Sequence, residues 1–338
     1  MRRCLMASEF ERAAEEVKRI FEERGRKILE EVESSIVSEE IECKEAKGAL
    51  VHFASYFRDI VRPSLVSIAC EAVGGEPLAG ARLGKSLILL SGATDVHDDI
   101  IDKTLEKESR QTVVGKFGED IALMAGDALI FIGFVELFEE LNKLNIHPQR
   151  KLMIVHAIKN LYREMFDGEA LELKFRLRTD IRSDEYLNVI GKKAADVEAC
   201  MRVGAILGGG SEEDINNLGV YGRLLGMIVL ARNDLEDLLD THILNLRLRN
   251  ESLPLPIIYA LENEEKRGEI LTILRKREVE KEEAEKLFRA VLYAGGIDKL
   301  KLLFESYVLE AKEKIVNIPK NKELLHAILE ASVPKPLL

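Results

Sequence analysis

Three aspartates at the end of a strongly apolar segment constrain this chain more than any other feature. Asp98, Asp99 and Asp102, the first acidic group, follow the apolar run Ser86–Leu90 (SLILL) and have isoleucines between them. If the segment is helical, Asp98 and Asp102 lie one turn apart on the same face, with Asp99 about 100° round the axis. Carboxylates in apolar surroundings need a partner of opposite charge or a cation. Mg²⁺ is suited, because it takes one or two carboxylates and fills its other positions with water or phosphate. The segment therefore predicts a magnesium site, and the alternative is a solvated, charged helix end.

A second group of oxygen-bearing side chains stands near the end of another apolar run, within Gly226–Asp240. This second acidic group consists of Asn233, Asp234 and Asp237. Asn233 and Asp237 are one helical turn apart, and Asp234 precedes Asp237 by three residues, which are both neighbouring positions on a helix. Two helices that bring such groups together across a cavity could hold a diphosphate between metal ions. One group alone is a weak signal, whereas the two together predict phosphate chemistry.

Composition and charge disfavour several other classes of protein. The 338 residues carry a net charge of −11, which argues against binding to nucleic acid. Hydrophobic residues make up 46% of the chain, enough for a large core, but no uninterrupted apolar run approaches the roughly 20 residues of a membrane span. The four cysteines show no C-x-x-C spacing, and the charged start MRRCLMASEFER does not resemble a signal peptide. We therefore expect a cytoplasmic protein with no transmembrane segment and no nucleic-acid partner.

The chain shows no linker, and its organisation is expected to be simple. In residues 1–46, apolar side chains recur at helical intervals, among them Val17, Ile28 and Val32, and predict an amphipathic helix. The apolar stripe of this helix could face a partner subunit or pack on its own domain. Residues 47–338 are expected to form one continuous helical domain.

Several motifs together resemble one known family. HDDIID at His97–Asp102 is followed by FGEDIALMAGDAL at Phe117–Leu129, and YGRLLG at Tyr221–Gly226 precedes the second acidic group. In sequence and order, these motifs are similar to those of the trans-isoprenyl diphosphate synthase, or polyprenyl synthetase, family, over roughly residues 45–330. The resemblance implies an all-α, single-domain helical bundle of the isoprenoid-synthase type around a deep central cavity, with the two acidic groups facing each other at its mouth.

The same resemblance implies roles for individual side chains. Mg²⁺, more than one ion bound together with the diphosphate substrate, would be held by Asp98, Asp102, Asn233, Asp234 and Asp237. The catalytic residues would be Asp98, Asp99, Asp102 and Lys192. The substrate-binding residues would be Arg62, Lys107, Glu169, Lys192 and Arg232. Taken alone, each of these last residues has the alternative interpretation of a surface side chain in water or in an ion pair.

The sequence departs from the family pattern mainly where the family binds its acceptor, isopentenyl diphosphate. Asp59 stands at the position of a lysine, and Ile60 at the position of the first arginine of the same segment. In the loop after the first acidic group, residues 107–109 (KES) replace a pair of arginines and a glycine. Asn233 replaces the first aspartate of the second motif. The changes at residues 59, 60 and 107–109 remove basic side chains with which the family binds its acceptor.

The resemblance predicts a prenyltransferase, namely an isoprenyl diphosphate synthase that uses Mg²⁺ to condense an allylic diphosphate with isopentenyl diphosphate. In that family, product length depends on the bulk of the side chains just before the first aspartate motif, so the resemblance implies that the small Ala93 and Thr94 favour a product of C20 or longer. The departures leave two alternatives: a class I terpene cyclase-like or diphosphate-removing enzyme, and a non-catalytic subunit of a heteromeric prenyl synthase. A homodimer is the expected assembly, and a heteromer with an active homologue is the alternative.

Overall fold

The computed structural model describes residues 2–107 and 109–334, with side chains from residue 13 onward, and this part of the chain is almost entirely helical. The helices are α1 (Arg2–Ser38), α2 (Lys44–Tyr56), α3 (Val61–Ala72), α4 (Pro77–Asp102), α5 (Val113–Phe117), α6 (Glu119–Lys143), α7 (Pro148–Glu172), α8 (Ser183–Lys193), α9 (Ala195–Leu207), α10 (Glu212–Leu239), α11 (Thr241–Asn250), α12 (Leu255–Leu261), α13 (Glu264–Leu274), α14 (Lys281–Tyr293), α15 (Gly296–Lys314) and α16 (Lys322–Ser332). The two short strands are β1 (Glu106–Lys107) and β2 (Arg110–Gln111), and a 3₁₀ turn, Leu173–Phe175, follows α7. The prediction of an all-α fold is confirmed. Glu108 of the substituted loop and the two chain ends lie outside the described residues.

The chain divides into two compact units. Unit 1 comprises residues 1–156, 200–216 and 318–321, and unit 2 comprises residues 157–199, 217–317 and 322–338. Helices α7, α9 and α10 therefore each have residues in both units. The predicted domain boundary between residues 46 and 47 stays a prediction.

One hydrophobic core of unit 1 is formed by residues of α1, α2, α4, α5 and α6. Ile28, Val32 and Ile36 of α1 are buried in this core, together with Phe53 of α2 and Leu129 of α6. The three α1 residues are spaced by four, which places them along one side of the helix. The apolar stripe of α1 therefore packs on its own unit, which is one of the two arrangements expected for it.

The local sequence accounts for both ends of α4, the helix that carries the first acidic group. Pro77 occupies the first turn, where a missing N–H costs no helical hydrogen bond. The helix ends at Asp102 because Lys103 adopts the left-handed conformation, with a φ of 57°. The backbone N–H of Thr104 then donates to the carbonyl of Asp99 at 2.9 Å and closes the last turn. The aspartates thus occupy the final turns of a helix whose preceding turns are buried.

Helices α4 and α6 approach each other closely at Gly126. A Cβ atom at this position would lie 2.3 Å from Nε2 of His97, so a larger residue would force the imidazole to move. The next residue, Asp127, places its Oδ1 3.5 Å from the same nitrogen. This Gly-Asp pair therefore positions the turn of α4 that leads into the first acidic group.

Within the described residues, α6 is the helix that is long and apolar enough to cross a membrane, judged by length and composition alone. Ala122, Ala125 and Leu129 of α6 are buried in the core of unit 1, and a core helix can pass the same test. The absence of a transmembrane segment stays a prediction.

In unit 2, the second acidic group lies near the end of α10. The side chain of Asp240 caps α11, because it accepts from the backbone N–H groups of His242 and Ile243 at 2.8 and 3.1 Å. Earlier in α10, the buried Tyr221 donates from its hydroxyl to the carbonyl of Leu325 at 2.8 Å. Helix α10 is therefore anchored before the second acidic group, and α11 begins directly after it.

Candidate functional site

The last turns of α4 present one partly exposed polar face. Thr94, Asp98 and Asp102 recur at intervals of four residues, so their side chains follow one another along the same side of the helix. All three are partly exposed, whereas Ala93 and Val96 are buried in the core of unit 1. The helix therefore offers Asp98 and Asp102 together to a ligand while its apolar residues remain packed.

Asp99, the middle residue of the first acidic group, is directed into the protein. It is 2% exposed, and Nζ of Lys107 lies 2.7 Å from its Oδ1 and 3.1 Å from Oδ1 of Asp95. Its second carboxylate oxygen, Oδ2, is buried and has no hydrogen-bond partner among the described residues. Burial raises the pKa of Asp99 to about 6, although Lys107 opposes the rise. Asp99 thus belongs to the support of the site rather than to its open face.

A small hairpin brings Lys107 back to α4. Strands β1 and β2 pair in antiparallel register, with Lys107 opposite Arg110, and Ser109 adopts the left-handed conformation at a φ of 60°. The hydroxyl of Thr112 donates to the carbonyl of Thr104 at 2.7 Å and closes the loop. The side chain of Lys107 is 44% exposed, so it borders solvent as well as the helix. Its predicted contact with substrate stays a prediction.

Arg62, carried over from the family's acceptor-binding segment, is held by the residue that replaces the family's lysine. Its Nη1 lies 2.6 Å from Oδ2 of Asp59. The other carboxylate oxygen of Asp59 accepts from the backbone N–H groups of Val61 and Arg62 at 3.0 and 3.1 Å. Asp59 therefore caps the start of α3 and pairs with Arg62 at the same time.

At the second acidic group, a buried arginine lies between the two carboxylates. Arg247 is 8% exposed, and its Nη1 lies 2.6 Å from Oδ2 of Asp237 while its Nη2 lies 3.0 Å from Oδ1 of Asp234. Asp234, which is 4% exposed, also accepts from the hydroxyl of Tyr186 at 3.2 Å. Its Oδ2 accepts from the backbone N–H of Leu255 at 3.0 Å. Both oxygens of Asp234 are thus engaged by the protein.

Arg247 also connects this group to the following loop and to the end of α7. Its Nε donates to the carbonyl of Ser252 at 3.1 Å, and the hydroxyl of Ser252 donates to Oε1 of Glu172 at 2.6 Å. Nζ of Lys193 lies 2.7 Å from Oε2 of Glu172 and 3.0 Å from Oε1 of Glu169. Burial acts to raise the pKa of Glu172, but Lys193 and Arg247 outweigh it and lower the pKa to about 2. Glu169, predicted to bind substrate, is therefore part of an ion-pair network.

The charge of Arg247 is maintained by this network. Burial disfavours the charged guanidinium, but Tyr186, Asp234 and the other acidic neighbours outweigh it, so the pKa of Arg247 lies above its ordinary value. Arg247 is therefore a permanent cation inside the second acidic group.

The other predicted substrate-binding residues of unit 2 also lie in ion pairs. Nζ of Lys192 is 2.7 Å from Oδ2 of Asp167, and Nε of Arg232 is 3.4 Å from Oε1 of Glu236. Both cations are partly exposed, and Asn233 is exposed. Their predicted roles stay predictions.

The first acidic group fits a magnesium ion. The residues described here include no set of three or more His, Cys, Asp or Glu side chains arranged to hold a metal by themselves. Magnesium does not need such a set when a diphosphate completes its coordination, because one or two carboxylates then suffice. Asp98 and Asp102, which are partly exposed on one face of α4, meet this requirement.

The second acidic group does not fit an ion in the same way. Arg247 and the hydrogen bonds from Tyr186 and Leu255 occupy oxygens of Asp234 and Asp237 that an ion would use. The assignment of Asn233, Asp234 and Asp237 as metal ligands stays a prediction, and this geometry argues against it.

The sequence predictions give no role to Arg247, although α11 carries a signal that indicates one. Leu244, Arg247 and Leu248 are the buried residues of this helix. Their spacing of three and four places the arginine on the apolar face. An arginine at such a position needs buried acidic partners, and the nearest acidic motif in the chain is the second acidic group. Tyr186 and Ser252 carry no comparable signal.

Known proteins resemble this chain over most of its length. The family described as Polyprenyl synthetase matches residues 58–291, a range that includes both acidic groups. A geranylgeranyl diphosphate synthase of Methanosarcina mazei is 31% identical over 261 residues, which are 75% of this chain and 78% of that protein. A short chain isoprenyl diphosphate synthase of Methanothermobacter thermautotrophicus is 28% identical over 284 residues, which are 78% of this chain and 86% of that protein.

The fold agrees as well. The crystal structure of geranylgeranyl pyrophosphate synthetase from Pyrococcus horikoshii Ot3 matches with a TM-score of 0.83 and 26% identity, and the match covers 94% of this chain and 99% of that one. The predicted isoprenoid-synthase type of fold and the predicted class of enzyme, a prenyltransferase, are therefore confirmed. Since the family match spans more than half of its length, this chain belongs to the polyprenyl synthetase family.

Proposed function

We propose that this chain is an isoprenyl diphosphate synthase. In the proposed reaction, the double bond of isopentenyl diphosphate forms a carbon–carbon bond to an allylic diphosphate, whose carbon–oxygen bond to diphosphate breaks. A proton is then lost from the acceptor carbon to the released diphosphate. The observation that carries the proposal is the pair Asp98 and Asp102, partly exposed on one face at the end of α4 and inside the range that matches the family.

In this proposal, Asp98 and Asp102 hold Mg²⁺ together with the diphosphate of the allylic substrate. When bound, the ion would neutralise charge that develops on the departing diphosphate. Lys107 neutralises Asp99 behind the open face and keeps part of its side chain in solvent, where a phosphate oxygen can accept from it. Lys192 is likewise proposed to donate a hydrogen bond to a phosphate oxygen. That the second acidic group faces the same substrate stays a prediction.

We infer a product of C20 or longer from the small side chain of Thr94. Thr94 lies one turn before Asp98 on the same face of α4, and its hydroxyl donates back to the carbonyl of Leu90 at 3.2 Å. A prenyl chain that extends from a diphosphate at Asp98 along α4 therefore meets little bulk at this position. Ala93, the other small residue, is buried in the core of unit 1 and does not share that face.

The product length can be tested by changing Thr94. The variant Thr94→Phe is expected to shorten the product, because the ring would obstruct the path of the growing chain. Chromatography of the dephosphorylated products measures the change, and Leu78→Phe, at an exposed position in the first turn of the same helix, is the matched control. Products of only ten or fifteen carbons from the unmodified protein would contradict the inference.

A diphosphate-removing enzyme that needs no acceptor is the second candidate. The ion pair between Arg62 and Asp59 favours it, because Arg62 is directed to a neighbouring carboxylate at 2.6 Å rather than left for a phosphate. Asp59 is the residue that introduces this competition. A protein that lacks acceptor binding would still ionise an allylic diphosphate.

One experiment separates these functions. Purified protein is incubated with Mg²⁺ and an allylic diphosphate, with isopentenyl diphosphate present or omitted, and the products are analysed by chromatography. Elongated diphosphates that appear only with the acceptor support the synthase. Alcohol or hydrocarbon formed without the acceptor supports the second candidate, and no turnover under either condition would leave a non-catalytic subunit.

We further infer that the chain forms a homodimer through α6. Four apolar side chains along one side of this helix, Met124, Phe131, Val135 and Phe138, are 55% to 73% exposed. A strip of this kind marks a protein contact, and two copies related by a twofold axis can cover it with the same strip. Acidic residues within α6, such as Asp127 and Glu136, oppose burial of the helix in lipid.

Sedimentation equilibrium tests the dimer. Phe131→Glu is expected to shift the protein toward the monomer, because it places a charge within the strip. Leu302→Glu, which changes a similarly exposed residue of α15, is expected to leave the mass unchanged. A monomer from the unmodified protein, or a protein that remains associated with lipid vesicles after purification, would contradict the dimer.

A further inference from the structure

We propose that the second acidic group of this chain binds no divalent cation, and that the guanidinium of Arg247 takes the place of one. This inference deepens the proposed function, on which it rests, because it assigns the magnesium of the reaction to the first acidic group alone. It follows from the positions of Asp234, Asp237 and Arg247 in unit 2.

The guanidinium occupies the space between the carboxylates that a shared ion would need. Nη1 lies 2.6 Å from Oδ2 of Asp237, and Nη2 lies 3.0 Å from Oδ1 of Asp234. A divalent ion that bound both residues would have to displace this positively charged group. The planar fork of an arginine satisfies two carboxylates at once, as an ion would do, but without losing a hydration shell on each binding event.

The arginine is also held in place from its other side. Its Nε donates to the carbonyl of Ser252 at 3.1 Å, and Nε lies 2.9 Å from Oε2 of Glu251. The hydroxyl of Tyr186 lies 3.1 Å from Nη2. Because these partners come from α8 and from the loop between α11 and α12, displacement of Arg247 would disturb both segments.

The remaining residue of the group, Asn233, does not restore a site. It is exposed on α10, and its amide carries no charge. Mg²⁺ prefers carboxylate oxygens and phosphate oxygens to a single neutral amide. The substitution at this position and the placement of Arg247 therefore both remove what a second ion would bind.

Manganese binding in the presence of inorganic pyrophosphate tests the inference without any turnover. Mn²⁺ replaces Mg²⁺ because its free form can be counted by electron paramagnetic resonance. The matched variants are Asp102→Asn and Asp237→Asn, which change the last aspartate of each acidic group. Asp102→Asn is expected to raise the dissociation constant of Mn²⁺ at least tenfold, whereas Asp237→Asn is expected to leave both the number of ions and the dissociation constant within twofold.

Two further variants keep the test decisive. Asn233→Ala changes an exposed residue, so it is expected to fold even if Asp237→Asn does not, and it too should leave Mn²⁺ binding unchanged. Arg247→Gln should release the carboxylates, and the folded variant is expected to bind one additional Mn²⁺ and to gain more in melting temperature from Mn²⁺ than the unmodified protein.

The outcomes separate this inference from the proposed function. Loss of one Mn²⁺, or a tenfold weaker dissociation constant, in Asp237→Asn or Asn233→Ala would overturn the inference and leave the synthase intact. Normal Mn²⁺ binding without any elongation of the allylic substrate would overturn the synthase and leave the inference intact. An unmodified protein that binds no Mn²⁺ with pyrophosphate would overturn the inference as well.

Discussion

The two acidic groups look alike in the sequence and differ in how the protein balances their charge. In the first group, Lys107 pairs with the buried Asp99, and Asp98 and Asp102 remain on a partly exposed face. In the second group, a buried arginine contacts both Asp234 and Asp237. Similar acidic patterns at helix ends can therefore leave two carboxylates partly exposed in one place and form a buried ion-pair network in another.

The source of the neighbouring cation explains this difference. Lys107 comes from a hairpin at the surface and has a flexible side chain that is 44% exposed. Arg247 comes from the apolar face of α11, which begins directly after the Asp240 cap and so returns the chain toward the end of α10. A cation on a packed helix face remains with its carboxylates, whereas one on a surface hairpin leaves part of the site accessible.

The largest expected effect is the loss of activity after a change in the first acidic group. Asp98→Asn should reduce kcat/KM for elongation by about a thousandfold, which corresponds to about 4 kcal/mol of transition-state stabilisation. The exposed Asp120 in the first turn of α6 supplies the control, Asp120→Asn, which should keep its activity within about twofold. Steady-state kinetics with a labelled acceptor measures both. Full activity in Asp98→Asn would contradict the proposed role of the first acidic group and its difference from the second.

Removal of the cation should reduce stability more in the second acidic group than in the first. Arg247→Met is expected to lower the free energy of unfolding by about 3 kcal/mol, because it leaves buried carboxylates without their cation. Lys107→Met should cost only about 1 kcal/mol, since Lys107 is partly exposed and Asp99 can take up a proton near neutral pH. Urea unfolding measures both values. Equal losses in the free energy of unfolding would mean that Lys107 and Arg247 stabilise the protein equally.

The pH dependence of stability should sharpen the comparison further. The pKa of Glu172 is lowered to about 2 in the folded protein, so its contribution is present above its ordinary value of 4.5 and is lost as the pH falls from there through about 2. Glu172→Gln should lower the stability at neutral pH by on the order of 2 kcal/mol and should flatten this acid loss. Urea unfolding at a series of pH values tests it. The same profile after Glu305→Gln, at an exposed position, would serve as the reference.

The smallest effect concerns the support of the first acidic group. Gly126→Ala should destabilise the protein by about 1 kcal/mol, because the clash with His97 exceeds what alanine adds to helix stability. At Gly268 of α13 an added Cβ meets nothing within 4 Å, so Gly268→Ala should stabilise by about 0.5 kcal/mol. Thermal unfolding compares the pair. A stabilising Gly126→Ala would show that α4 and α6 can separate without cost.

The outline of the fold and the first acidic group could be predicted because both depend on local spacing. The helical periodicity of α1 and the apolar run into Asp98 are short-range patterns, and helix geometry converts them directly into faces. The different directions of Asp98 and Asp99 follow from the same rule, once it is known which side of α4 is packed. Ala93 and Thr94 were expected to act as a pair, but they lie on different faces of α4, and Ala93 is buried in the core of unit 1.

The sequence by itself determined the family, the helical architecture and the carboxylate pair Asp98 and Asp102, because each is encoded in residues close to one another in the chain. Only the tertiary structure decided the state of the second acidic group. Arg247, Tyr186 and Ser252 come from separate segments. The contribution of an ion pair to stability depends on burial and on partners that no local sequence pattern specifies.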